Sequence, residues 1–98
     1  MQYRFPDNFW WGSASSAAQA EGASLEGGKA PTTWDHWFAL QPHRFHQGIG
    51  PADTSGFYRH YRDDIALMSE IGHNSFRTSI AWARLIPQGR GEPNAEAV

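Results

Sequence analysis

The sequence predicts an α/β fold in which two parallel strands are joined by a helical crossover, and three observations carry that reading. An apolar run, Phe9-Trp10-Trp11, enters a stretch of small residues from 12 to 18. Apolar side chains then recur every three or four residues across 57–71, the spacing of one helix face. From 74 to 82 the period switches to two, as in a strand. Strand, long connection, helix, strand is the order of a parallel βαβ unit, because parallel neighbours need a crossover rather than a tight turn.

Each element has its own local reason. Phe5-Pro6-Asp7-Asn8 reads as a lead-in turn. The small residues of 12–18 let another backbone approach closely, as at the crowded end of a buried strand, although Ala17 and Ala18 equally suit the start of a helical turn. Residues 21–31, rich in Gly, Ser and Ala, read as loop. Thr32 or Thr33 is placed to cap a short helix that carries Trp34, Trp37 and Phe38 on one face. Residues 42–56 are loop, punctuated by Gly and Pro. Phe57, Tyr61, Ile65, Met68 and Ile71 then define the main helix, with Thr54 or Ser55 suited to its N-cap and Gly72 to its C-terminal cap. In the second strand Phe76, Thr78, Ile80 and Trp82 share one face, and Ser75, Arg77, Ser79 and Ala81 the other. Pro87, Gly89, Gly91 and Pro93 end it.

Composition narrows the function classes. Five Trp, six Phe and three Tyr among 98 residues argue for burial rather than disorder. A net charge of −2 leaves no basic stripe to track a phosphate backbone, so nucleic acid is not an expected partner. The absence of Cys excludes disulfides, thiolate metal ligands and a Cys nucleophile, and permits a reducing compartment. No stretch has the apolar length of a signal peptide or a membrane span, and the expectation is a soluble cytoplasmic chain without a membrane partner. At this length it holds one small domain or part of a larger one.

Few residues are candidates for chemistry. Gln19 and Glu21 follow the small-residue stretch, at or just past the C-terminal end of the first strand, where parallel α/β folds bind ligands. A Gln amide both donates to and accepts from vicinal hydroxyls, as a sugar requires; alternatively Gln19 only satisfies loop backbone. Glu21 reads as a solvated loop acid. Arg77, in mid-strand, needs a carboxylate if the strand is buried on both faces, and is otherwise a surface-directed edge Arg. Asp63, Asp64 and Glu70 do not supply that partner from the helix. Arg84, near the strand end, is expected to face loops. Gly27-Gly28-Lys29-Ala30 lacks the first Gly and the Ser or Thr of a phosphate-binding loop, and His43 and His46 have no further ligands for zinc.

Two long segments resemble the family-one glycoside hydrolases. Residues 9–23, Phe-Trp-Trp-Gly-Ser-Ala-Ser-Ser-Ala-Ala-Gln-Ala-Glu-Gly-Ala, are similar to that family's N-terminal signature. Residues 63–87, from Asp63-Asp64-Ile65 through Asn74-Ser75-Phe76-Arg77 to Pro87, are similar to its first helix and second strand, and Thr33-Trp34-Asp35 and the 89–94 tail fit as well. The wording is nearest to the bacterial 6-phospho-β-glucosidases. Ala18 departs from the signature, which usually carries an aromatic, Asn or His before the Gln.

The resemblance implies the first strand, first helix and second strand of a (β/α)₈ TIM barrel, a fold that takes about 250 residues when complete. It implies retaining hydrolysis of β-glucosides or 6-phospho-β-glucosides without a cofactor or metal. Gln19 maps to the Gln that binds sugar in the glycone subsite, and Arg77 to the Arg beside the nucleophilic Glu. Neither the acid/base Glu nor the nucleophile has a counterpart in residues 1–98. Both are expected beyond Val98, as is the loop that would hold a 6-phosphate, so the chain alone is expected to be inactive. The rival expectations are a non-functional truncated product and a non-catalytic carbohydrate-binding module. The long helix argues against the module, because such modules are mostly β-sandwiches.

Overall fold

The computed structural model describes residues 1–98. In chain order its elements are β1 (Gly12–Ala14), α1 (Ala17–Ala20), α2 (Thr33–Leu40), two 3₁₀ turns (Pro42–Arg44 and His46–Gly48), α3 (Phe57–Glu70), β2 (Ser75–Arg77) and α4 (Trp82–Leu85). β1 and β2 pair in parallel, with Gly12 opposite Ser75, Ser13 opposite Phe76 and Ala14 opposite Arg77. The expected strand, crossover helix and strand are therefore present.

Side chains lengthen this short ladder at its start. Asn74 accepts the Trp11 N–H on Oδ1 at 2.8 Å and donates from Nδ2 to the Phe9 carbonyl at 3.1 Å. Gly12 explains the small residues that open β1, since a Cβ there would collide with the Ser75 carbonyl oxygen. Phe57 of α3 meets Phe76 of β2 with ring centroids 6.0 Å apart, which seats the crossover helix on the sheet.

α3 ends as its sequence predicts but begins differently. Gly72, left-handed at φ 89°, donates to the Ser69 carbonyl, and the His73 N–H donates to that of Met68 at 2.9 Å, a Schellman closure. At the start neither Thr54 nor Ser55 is the N-cap. Gly56 holds that position in the left-handed region, and the two hydroxyls instead donate to the Ala20 carbonyl at 3.0 and 3.3 Å. One tertiary partner, the Ala20 carbonyl, has taken both capping groups from 34 and 35 residues away.

The second strand is shorter than its alternation predicts. It stops at Arg77, and Trp82, expected in the strand, opens α4. Ala, Arg and Leu in Trp82-Ala83-Arg84-Leu85 are strong helix formers, and the Leu85 N–H reaches the Ala81 carbonyl at 2.9 Å. Period two describes any extended chain, whether or not it is paired. Likewise Ala17 begins the helical turn α1 rather than extending β1, its N–H held by Ser79 Oγ at 2.8 Å.

α2 follows its sequence closely. Thr32 caps it in a reciprocal box with Asp35, and Trp34, Trp37 and Phe38 gather around Phe45 at centroid distances of 6.3, 5.0 and 5.1 Å. No closed core forms. Of 98 residues four are buried, and Ile86 is the one large apolar side chain among them. The radius of gyration is 16.7 Å, against about 13 Å for a compact domain of this length.

Candidate functional site

The C-terminal ends of β1 and β2 carry the polar side chains. Beyond Ala14 the chain stays extended through Ser16 and then turns into α1, which presents Gln19. The Gln19 N–H is engaged by the Ser16 carbonyl at 3.1 Å, while its side-chain amide has no hydrogen-bond partner within the chain. The residue is exposed and lines a cleft of about 500 Å³ with Trp34, Phe45, Ile49 and Asp53 among its walls. A free amide beside two aromatic rings suits a ligand that presents both hydroxyls and an apolar face.

Arg77 closes β2 opposite Ala14. It is exposed, and its Nη1 donates to the Ser15 carbonyl at 3.0 Å. The strand buried on both faces and the carboxylate partner that it would demand are not present in this chain. With only β1 beside it, β2 has no second neighbour to cover Arg77.

The buried arginine is Arg84. Its side chain is 6% exposed and faces loop backbone, as expected, but from α4 rather than from a strand end. Nε donates to Glu21 Oε2 at 3.2 Å, Nη1 to the Glu26 carbonyl at 3.0 Å, and Nη2 to the carbonyls of Gly22 and Ala23 at 3.2 and 3.3 Å. The Tyr58 ring lies 4.1 Å from the guanidinium carbon. Glu21 is correspondingly not a solvated loop acid but the counter-charge of this group, 19% exposed.

A second ion pair lines the same side of the molecule. Lys29 Nζ meets Asp35 Oδ2 at 2.9 Å, and Asp35 Oδ2 also accepts the Thr32 N–H at 2.7 Å and hydroxyl at 2.8 Å. Burial pushes the Asp35 carboxyl up, but the Thr32 and Lys29 donors outweigh it and hold the group below its ordinary value of 3.8. Lys29 donates further to the carbonyls of Ser24 and Ala30, so it is spent on loop closure rather than free for phosphate. Sequence reasoning missed both pairs. The Thr32 cap was legible, whereas nothing in the spacing joins Glu21 to Arg84, 63 residues on. His43 and His46 fall in successive 3₁₀ turns, and no group of three His, Asp or Glu residues gathers to hold a metal.

The chain is similar to known proteins. The family model described as Glycosyl hydrolase family 1 matches residues 1–98. The chain belongs to glycosyl hydrolase family 1. It is 60% identical over 96 residues to the 6-phospho-beta-glucosidase GmuD of Bacillus subtilis (strain 168), covering 98% of this chain and 21% of that protein. It is 49% identical over 90 residues to Beta-glucosidase 30 of Arabidopsis thaliana, covering 91% of this chain and 15% of the relative. Among solved structures an aphid myrosinase superposes with a TM-score of 0.90 at 28% identity, covering 97% of this chain and 21% of that one. An enzyme of Alicyclobacillus herbarius superposes with a TM-score of 0.84 at 37% identity and the same coverage. This family-1 chain thus spans 15–21% of the length of these relatives. Its β1–α3–β2 unit is consistent with part of the barrel of the family-1 glycosidases. No helix in it is long and apolar enough to cross a membrane.

Proposed function

We propose that residues 1–98 form one wall of the sugar-binding site of a retaining β-glycosidase, as the first strand, first helix and second strand of a single (β/α)₈ barrel domain. The observation that carries this reading is Gln19, whose amide is unpartnered in a cleft just past the C-terminal end of β1. Barrel enzymes build their sites at that end of the strands. Gln19 hydrogen-bonds the hydroxyls of the glycone.

Arg77 stands at the same end of β2. A guanidinium has five N–H donors, and the Ser15 carbonyl occupies one at Nη1. The others face the nucleophilic carboxylate, orient it and keep it ionised. Retaining hydrolysis then runs through two carboxyl groups about 5 Å apart, one attacking the anomeric carbon while the other protonates the departing oxygen and next activates water. Both belong to the barrel beyond Val98, so residues 1–98 alone do not hydrolyse glycosides.

The preferred substrates are 6-phospho-β-glucosides. The 60% identity to a 6-phospho-beta-glucosidase supports that choice. Phosphorylated sugars do not cross membranes unaided, which agrees with a cytoplasmic enzyme. The test is kcat/KM of the complete enzyme on one aryl β-glucoside with and without a 6-phosphate. A preference of tenfold or more for the phosphorylated form supports the assignment, and equal or inverted values refute it.

A further inference from the structure

Gln19 sits on a helical turn of four residues, too short to hold its own shape. Tertiary contacts fix it instead. At its start the Ala17 N–H is bound by Ser79 Oγ, and at its end the Ala20 carbonyl accepts from Thr54 and Ser55 while the Glu21 carbonyl accepts the Tyr58 N–H at 3.1 Å. The chain then reverses through two successive left-handed residues, Gly22 at φ 65° and Ala23 at φ 47°. The second carries a Cβ, so that conformation is strained and persists only where the surroundings enforce it.

Arg84 binds this reversal, beside the Glu26 N–H that donates to the Ala23 carbonyl at 3.1 Å. Its Nη2 binds the carbonyls of both left-handed residues, Nη1 binds that of Glu26, and Nε holds the Glu21 carboxylate that closes α1. Arg84 lines one cleft and Gln19 the other, and Ser16 and Ala18 at the base of α1 line both. The guanidinium therefore lies behind the wall that presents Gln19.

We propose that Arg84 is a positioning residue for substrate binding: by clamping Glu21 and the strained Gly22-Ala23 reversal, it sets the orientation of the Gln19 amide. The proposal rests on the reading of Gln19 as the sugar-binding amide. Lysine cannot replace the clamp, because a point charge does not span a carboxylate and three carbonyls arrayed around a planar fork.

The test is a double-mutant cycle in the complete enzyme, with kcat/KM and thermal unfolding measured for wild type, Gln19→Ala, Arg84→Lys and the double variant. Arg84→Lys is expected to lower kcat/KM about tenfold in the wild-type background, mostly in kcat, and less than about threefold in the Gln19→Ala background. Glu21→Gln, a milder change, repeats the pattern. Equal losses in both backgrounds, or a lowered Tm with unchanged kcat/KM, make Arg84 a stabilising residue only and overturn the proposal. A Gln19→Ala enzyme within threefold of wild type instead removes the sugar-binding reading itself, and the proposal with it.

Discussion

Arg77 and Ser15 bind each other twice: the Ser15 N–H donates to the Arg77 carbonyl at 2.8 Å, and the Arg77 guanidinium donates to the Ser15 carbonyl at 3.0 Å. The first bond prolongs the β1–β2 ladder, and the second ties the guanidinium to the end of both strands. If that charge serves the nucleophile, Arg77→Met raises the nucleophile's pKa, because the carboxylate loses its neighbouring cation. The ionised form is the active one, so the acidic limb of the kcat/KM profile moves to higher pH by about one unit or more, with a loss of rate. An unmoved limb with normal activity makes Arg77 a strand-end brace only.

Gly12 is fixed by space rather than by backbone angle. Gly12→Ala drives a Cβ into the Ser75 carbonyl, a backbone atom that cannot swing aside. We expect the complete enzyme to lose about 1–3 kcal/mol of stability in chemical denaturation, whereas Ser13→Ala stays within about 0.5 kcal/mol. Similar midpoints for the two variants would show that the strands separate at little cost.

The Lys29–Asp35 pair makes a pH prediction of definite sign. A carboxyl whose folded pKa lies below its unfolded value adds stability that is complete above the unfolded value and is lost as pH falls through the folded one. That contribution should therefore fade below about pH 3.8, the ordinary value, and Asp35→Asn should remove the dependence there while destabilising the protein at pH 7, where Lys29 stays buried without its partner. Parallel stability curves for wild type and Asp35→Asn as pH falls from about 4 to about 2 would contradict it.

What the sequence disclosed depends on how far apart the interacting residues lie. α3 and its Gly72 closure were legible because periodicity and capping are local, and so was the aromatic face of α2 with its Thr32 cap. The end of β2 was not, since Thr78 to Trp82 keep an alternating pattern after pairing has stopped. A buried arginine demands a carboxylate partner, and within these residues that pair is Arg84 with Glu21, while Arg77 is exposed beside Ser15. Only the fold brings Glu21 and Arg84, 63 residues apart, together, so no spacing rule could have paired them.

Residues 1–98 made alone should neither fold cooperatively nor hydrolyse a β-glucoside or its 6-phosphate. Trp10, Ile71 and Ile80 are 74–80% exposed, and the two-stranded sheet leaves an unpaired edge on each side. We expect apolar dye binding, weak near-ultraviolet dichroism and aggregation. A monomer with dispersed amide signals and one sharp thermal transition would show a self-sufficient domain.

The most direct test of the central claim, that this chain supplies a wall of the glycone subsite, is kcat/KM of the complete enzyme carrying Gln19→Ala. Hydroxyl contacts in that subsite strengthen at the transition state, so a loss of about 10²-fold or more is expected while the Tm stays near wild type. A Gln19→Ala enzyme that keeps kcat/KM within threefold of wild type would contradict the account.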